Sequence, residues 1–191
     1  MPSRRLLLPF VCCYVFACAV NGGPQPEGAA GAAPEYPAAA PSSADFDSAT
    51  VPLLRDAPTA RTPVRDFGGL FTDEQRGRLS DLLLDYNART GHEVVIATVD
   101  EIAPYEDVRA YATDLANYWG VGSAERNDGL LLVVCAPCGK AGIATGRGTE
   151  RVLTDSVCAG VMSGVMVPAY RRGDYYGGTV AGVEALLARW P

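Results

Sequence analysis

The chain has 191 residues, of which 48% are hydrophobic, so it can bury the core of one globular domain and carry accessory segments besides. Its formal net charge is −6, and Lys140 is its only lysine. We expect no nucleic-acid partner, because an acidic chain without a dense basic stripe has nothing to hold a phosphate backbone.

The N-terminal segment has the pattern of an export signal. Arg4 and Arg5 precede the stretch LLLPFVCCYVFACAV, which is too short and too interrupted for a membrane-spanning helix. We therefore expect residues 1–20 to be a signal peptide and the protein to reach the cell envelope, in the periplasm or at the cell surface. The residues VFAC are similar to the lipobox of bacterial lipoproteins. Lipidation of Cys18, which would anchor the protein to the membrane, and ordinary cleavage around residues 19–23 are both open.

A flexible tether is predicted for residues 21–62. Alanine (11), proline (7) and glycine (4) make 22 of the 40 residues at positions 21–60. Such a composition cannot bury a core, so we expect this segment to remain extended.

Helical and strand patterns alternate from residue 63 onward. Thr72 and Gln75 predict a capping box at the start of a helix that ends at Gly91. The runs HEVVIATVD and DGLLLVVC predict two strands, with a helix over residues 106–118 between them. The turn APCGK predicts a hairpin to a third strand. Two more helices follow, one that ends at Pro168 and one over residues 174–190.

The predicted order of elements is α, β, α, β, β, α, α. A right-handed crossover makes strands 93–99 and 128–134 parallel. We therefore predict an α/β fold, in which helices sandwich a small mixed sheet, over residues 63–191.

Charged residues are predicted to meet at one edge of this sheet. Asp128 begins a strand, and the end of the hairpin returns beside it with the residues GRGTE. We expect Asp128, Arg147, Glu150 and Asp155 to share this edge, and Asp66 to join them if the loop before the first helix folds onto it. The four carboxylates are the type of ligand that Ca²⁺ or another divalent cation prefers. The alternative is that they cap a helix, start a strand, shape a turn or face solvent.

The GRGT segment also suggests phosphate handling. It links a strand to a helix, so its glycine N–H groups and Arg147 are candidates to hold a phosphate. A phosphatase needs a nucleophile or base as well, and Asp128 is the candidate. The segment is not a P-loop, because it lacks the Gly-Lys-Ser/Thr ending.

Four motifs together resemble the TPM domain family: VRDFGGLFTDEQ, WGVG followed by NDGLLLVV, GRGTERVLTD, and PAYRRGDYYGG. They occur in order between Val64 and about Leu187. The resemblance implies a three-layer α/β/α sandwich that lies outside the cytoplasm, as in bacterial envelope and thylakoid lumen proteins. It also implies divalent-cation binding and acid phosphatase activity, which have been ascribed to members, although many have no assigned activity.

The chain departs from the family pattern at two places. The GRGTE segment carries Arg147 and Thr149 where the family has an aromatic residue and leucine. The hairpin carries Cys135 and Cys138 where the family has charged residues. In an oxidising compartment we expect these two cysteines to form a disulfide. His92, the only histidine, has no partner in the sequence and is interpreted as structural.

Two functional hypotheses follow. The first is a tethered, cation-binding interaction or assembly module for an unidentified protein complex of the envelope membrane. The second is a metal-dependent acid phosphatase that acts on phosphomonoesters, with Asp128 and Arg147 as catalytic residues. Neither requires an organic cofactor.

Overall fold

The computed structural model describes residues 62–191, so the predicted signal peptide, Cys18 and most of the tether lie outside the described residues. The strands and helices in chain order are β1 (Val64–Asp66), α1 (Asp73–Thr90), β2 (Glu93–Val99), α2 (Val108–Trp119), β3 (Gly129–Cys135), β4 (Lys140–Thr145), α3 (Asp155–Val161), α4 (Val167–Tyr170) and α5 (Tyr175–Leu187). A 3₁₀ turn, Thr149–Arg151, follows β4, and a π-helical segment, Met162–Met166, joins α3 to α4.

The four strands form one sheet in the order β1-β2-β3-β4. β1, β2 and β3 are parallel, and β4 returns antiparallel to β3. The predicted parallel pair and the predicted hairpin are confirmed. β1 was not predicted, because three residues are too few to show an alternating pattern.

Helices cover both faces of the sheet, which confirms the three-layer α/β/α class. On one face α2 packs on alternate residues of β2 and β3, including Val95, Ala97, Leu131 and Val133. On the other face α1, α3, the π-helical segment and α5 pack on the intervening residues of the same strands. β3 is buried along its whole length, as its unbroken apolar sequence predicts.

The first helix begins and ends as its sequence predicts. The Thr72 hydroxyl accepts a hydrogen bond from the main chain of Gln75, whose side chain bonds back to the Thr72 N–H. Gly91 ends the helix in the left-handed conformation, with φ of 76°. These caps satisfy end groups that the helix cannot satisfy internally.

The prediction that Pro168 ends a helix is wrong. Helical backbone runs from Asp155 to Tyr170, and Pro168 lies within it. The π-helical segment directly before Pro168 interrupts the regular i→i−4 pattern that a proline would otherwise break. Within residues 62–191, none of the helices combines the length and the apolar character that crossing a bilayer demands.

Candidate functional site

The carboxylate of Asp128, at the start of β3, is held by its own loop. Its side chain is 5% exposed. Oδ1 accepts hydrogen bonds from the main-chain N–H and from the hydroxyl of Ser123, both at 2.9 Å. Oδ2 accepts a hydrogen bond from Nε of Arg126 at 2.6 Å and lies 3.5 Å from Nδ1 of His92. Both oxygens are therefore engaged by the chain itself.

These contacts keep Asp128 ionised. Burial by itself would raise the pKa of this carboxyl group, because burial penalises the charged form. The hydrogen bonds from the Ser123 main chain, the Arg126 guanidinium and the Ser123 hydroxyl outweigh burial and lower the pKa far below its ordinary value. A carboxylate with so low a pKa is a poor proton acceptor, so Asp128 is badly suited to act as a general base.

Three backbone segments approach one another closely beside Asp128, and glycines lie at the points of closest approach. A Cβ on Gly129 would lie closer than 3.0 Å to the main-chain oxygen of Val121, and a Cβ on Gly148 would do the same to that of Arg126. Backbone meets backbone here with no side chain between, which only glycine permits. We call residues 120–123, 126–129 and 146–150 together the three-segment junction.

The main-chain N–H groups of the GRGT segment are used inside this junction. The N–H of Gly146 donates to the carbonyl oxygen of Gly129 at 2.9 Å. The N–H groups of Gly148 and Thr149 both donate to the carbonyl oxygen of Asn127, at 2.9 and 3.4 Å. A phosphate would have to displace these bonds, so the glycines serve the close approach of two loops and do not form an anion cradle.

The remaining predicted residues of this edge are on the surface. Arg147 and Glu150 are exposed, and the Arg147 side chain makes no hydrogen bond or ion pair within residues 62–191. Asp155 is the first residue of α3 and pairs with Arg109 of α2 at 2.9 Å. Thr154, and not Asp155, caps α3.

Asp66 lies at the carboxyl-terminal ends of the parallel strands, whereas Asp128 lies at their amino-terminal ends. The prediction that places Asp66 beside Asp128 is therefore wrong. It is the last residue of β1, and its partner in β2 is Thr98, whereas the start of β3 is aligned with Glu93. Five residues of strand separate the two positions, which is about 16 Å. The Asp66 carboxylate is itself saturated, because it accepts hydrogen bonds from the main chain of Leu70 and Phe71.

The residues present do not fit a divalent cation. Asp66 is too far from Asp128, and both oxygens of Asp128 are engaged by the chain itself. Across residues 62–191, His, Cys, Asp and Glu side chains form no group of three or more that could hold a metal ion. Hard cations need several oxygen ligands around one point, and this edge of the sheet does not bring them together.

A small cleft opens beside the three-segment junction, between α2 and the end of β4. Its volume is about 80 Å³, and it is lined by neutral residues that include Thr113, Asn117, Asn127 and Thr145. Sites for small molecules usually measure roughly 300–1,000 Å³. The cleft is therefore too small to enclose a phosphomonoester together with a catalytic group.

The chain matches the TPM domain family over residues 64–189, which is about two thirds of its length. The chain belongs to the TPM domain family. The four motifs that carry the resemblance all lie inside the matched range. None of the curated proteins compared with the chain matches it.

Three solved structures share the fold. The N-terminal domain of a protein from P. gingivalis is 28% identical, with a TM-score of 0.61; the match covers 68% of this chain and 82% of that one. The N-terminal domain of the cg2496 protein from Corynebacterium glutamicum is 15% identical, with a TM-score of 0.54, over 67% and 79%. The BA42 protein from Bizionia argentinensis is 19% identical, with a TM-score of 0.54, over 62% and 80%.

Two of the four TPM motifs have an architectural role in this chain. The WGVG motif supplies Gly122, the NDG motif supplies Asp128 and Gly129, and the GRG motif supplies Gly148. All of them meet in the three-segment junction. Two of the four motifs of this TPM domain are thus explained by the way its loops cross.

The two hairpin cysteines of this TPM domain form a disulfide. Cys135 ends β3 and Cys138 lies in the turn before β4. The remaining cysteine within residues 62–191, Cys158, is half-buried, and burial raises the pKa of its thiol. Within residues 62–191, neither feature belongs to a group of three or more His, Cys, Asp or Glu side chains that could hold a metal ion.

His92 contributes to packing that the sequence did not reveal. Its ring stacks on Trp190, and Tyr86 packs against both rings at centroid distances of 6.2 and 6.0 Å. The Tyr86 hydroxyl donates a hydrogen bond to the carbonyl oxygen of Trp190. No local spacing could have predicted this cluster, since His92 and Trp190 are almost a hundred positions apart.

Proposed function

We propose that this TPM-domain protein is a non-catalytic interaction module, exported and held to the membrane through its N-terminal segment, that assists the assembly of a protein complex of the cell envelope. The observation that carries the proposal is the saturated carboxylate of Asp128. The one acidic group buried at this edge stabilises a loop, and both of its oxygens already accept hydrogen bonds from the chain itself.

The surface around the three-segment junction supports an interaction role. Tyr118 and Val152, which flank the junction in sequence, are the large hydrophobic residues with the greatest exposure within residues 62–191, at 46% and 44%. Arg147 and Arg151 are exposed close by in the chain. Tyrosine and arginine beside exposed apolar atoms are enriched where proteins contact one another.

Site-directed photo-crosslinking of the exported full chain tests the proposal. A photoreactive residue at Arg147 is compared with one at Asp81, which is exposed on α1, in intact cells. We expect discrete crosslinked membrane proteins from position 147 and none of these from position 81. The same pattern of products from both positions would reject a specific interaction at this edge.

Hydrolysis is measured on the same protein. Para-nitrophenyl phosphate is offered with Ca²⁺, Mg²⁺ or Zn²⁺ to the wild type and to Arg147→Ala. We expect no turnover above buffer. Turnover that Arg147→Ala abolishes while the unfolding transition is unchanged would replace the proposal with the phosphatase hypothesis.

A further inference from the structure

The outer edge of β4 carries main-chain groups with no partner within residues 62–191. β4 is the last strand of the sheet. The Gly146–Gly129 hydrogen bond and the β3–β4 register show that every second residue of β4 bonds to β3. Because bonding alternates along an antiparallel pair, the N–H and C=O groups of Ala141, Ile143 and Thr145 point outward.

This edge has few of the features that protect natural edge strands. Such strands usually carry charges, proline or a bulge that prevents pairing with another chain. Residues 141–145 of β4 are Ala-Gly-Ile-Ala-Thr, with no charge and no proline, and the pairing with β3 runs without a bulge. Gly142, Ile143 and Ala144 are nevertheless buried, so an extended segment can pair with the middle of β4 once the side chains that cover this edge move aside.

An exposed ion pair lies beside this edge. Arg109 of α2 and Asp155 of α3 are 2.9 Å apart, and the two helices pack on opposite faces of the sheet. The start of α2 lies over Gly142 of β4. The ion pair therefore connects the two helix layers across the outer edge of β4. Both side chains are more than half exposed. An exposed pair contributes little to stability, so it can open at small cost.

Positive charge marks both ends of β4. At the start, Lys140 donates from Nζ to the main-chain oxygen of Glu106 at 2.7 Å, and it forms no ion pair within residues 62–191. Beyond the end, Arg147 and Arg151 are exposed and form no ion pair within residues 62–191. The edge is thus neutral in the middle with basic side chains at both ends, and the exposed Glu150 lies between Arg147 and Arg151 in the chain.

This charge pattern disfavours a second copy of the chain as the occupant. If two β4 strands paired antiparallel about Ile143, Lys140 of one copy would face Gly146 of the other and lie next to its Arg147. Like charges placed opposite each other destabilise a strand pair. A strand with acidic residues at its ends would instead meet Lys140 and Arg147 with opposite charge.

We propose that the outer edge of β4 is a docking strand for an extended segment of a partner protein, with a β-forming centre and an acidic residue at each end. Main-chain bonds to Ala141, Ile143 and Thr145 hold the segment, and Lys140 and Arg147 select its charges. The inference rests on the proposed function and names the surface and the class of partner.

NMR titration of the ¹⁵N-labelled exported chain tests the inference with two synthetic probes, Asp-Thr-Val-Thr-Val-Thr-Asp and the same peptide with Lys at both ends. We expect the acidic probe to shift the amide signals of Ala141, Ile143 and Thr145 first. We expect it to bind roughly tenfold more tightly than the basic probe, because two ion pairs are exchanged for two repulsions.

Thr145→Pro removes one outward N–H and leaves the bonds to β3 intact, since proline is tolerated at such edge positions. Thr145→Val is the matched control, because it keeps the N–H. We expect the proline variant to lose binding and the valine variant to keep it, with both spectra well dispersed. Equal binding by the proline variant, shifts centred away from β4, or no shift at all would overturn the inference.

The outcomes separate the inference from the proposed function. Crosslinks from position 147 without any β4 shift would leave the interaction module standing and refute the docking strand. Signals of β4 that broaden with protein concentration alone would identify a second copy as the occupant and refute the acidic partner. Hydrolysis dependent on Arg147 would refute the proposed function itself.

Discussion

The imidazole of His92 lies flat on the indole of Trp190, with ring centroids 4.2 Å apart and an interplanar angle of 15°. Trp190 is the penultimate residue of the chain and is only 3% exposed. Trp190 is thus packed into the core beside the start of β2.

Truncation of this side chain should destabilise the domain. We expect Trp190→Ala to lower the free energy of unfolding by about 3–5 kcal/mol, the usual range for a buried aromatic residue. Deletion of the exposed Pro191 is the control and should cost less than about 0.5 kcal/mol. Urea unfolding followed by far-UV circular dichroism measures both, and equal effects would show that the ring contributes no specific packing.

Asp128 should act on stability and not on chemistry. Replacement by Ala leaves the Ser123 N–H and the Arg126 guanidinium without their acceptor, so we expect a loss of about 2–4 kcal/mol. Asp81→Ala, at an exposed position of α1, should change stability by less than about 0.5 kcal/mol. A stable Asp128→Ala protein would contradict the structural role assigned to this carboxylate.

Acid should weaken the domain partly through the same residue. The folded pKa of Asp128 is lower than its unfolded value, so its contribution is complete above the unfolded pKa of about 4. Below that pH the unfolded chain takes up a proton that the folded protein does not, and stability falls. We expect Asp128→Asn to flatten the loss of stability between about pH 4 and pH 2. Parallel curves for the variant and the wild type would exclude this linkage.

Two glycines should respond in opposite ways to the same substitution. Gly129→Ala places a methyl group against the main chain of Val121, and we expect a loss of about 3 kcal/mol or more. Gly77→Ala lies in the second turn of α1 with open space around it, and we expect a gain of about 0.5–1 kcal/mol. Thermal unfolding compares the two, and a tolerated Gly129→Ala would show that the crossing is looser than described.

The sequence predicted the three-layer arrangement of helices and strands better than the positions of the candidate site residues. The helix caps at Thr72 and Gly91 and the parallel pairing of β2 with β3 depend on local pattern and on the handedness of one crossover, so both could be read from the chain. The position of Asp66 could not, because a three-residue strand carries no periodicity and β1 decides which edge receives that carboxylate.

The predicted site failed for a different reason. Asp128, Gly146 and Gly148 were correctly expected near one another, but sequence shows which residues are close and not how their hydrogen bonds are used. The GRGT amides donate to the Asn127 and Gly129 carbonyl groups, and the Asp128 oxygens accept from Ser123 and Arg126. Acidic and glycine-rich loops at a sheet edge have the same composition whether they bind a ligand or each other.

The crossing of loops at Gly129 and Gly148 also bears on synthesis of the chain. Three backbone segments meet there, and the last of them, residues 146–150, follows β4. When a nascent chain has emerged only as far as β3, the Asp128 loop is present, but β4 and the GRG turn, which contact this loop, are not. The last of these contacts therefore cannot form until β4 and the GRG turn have left the ribosome, so residues 120–129 are exposed to proteases and chaperones until then.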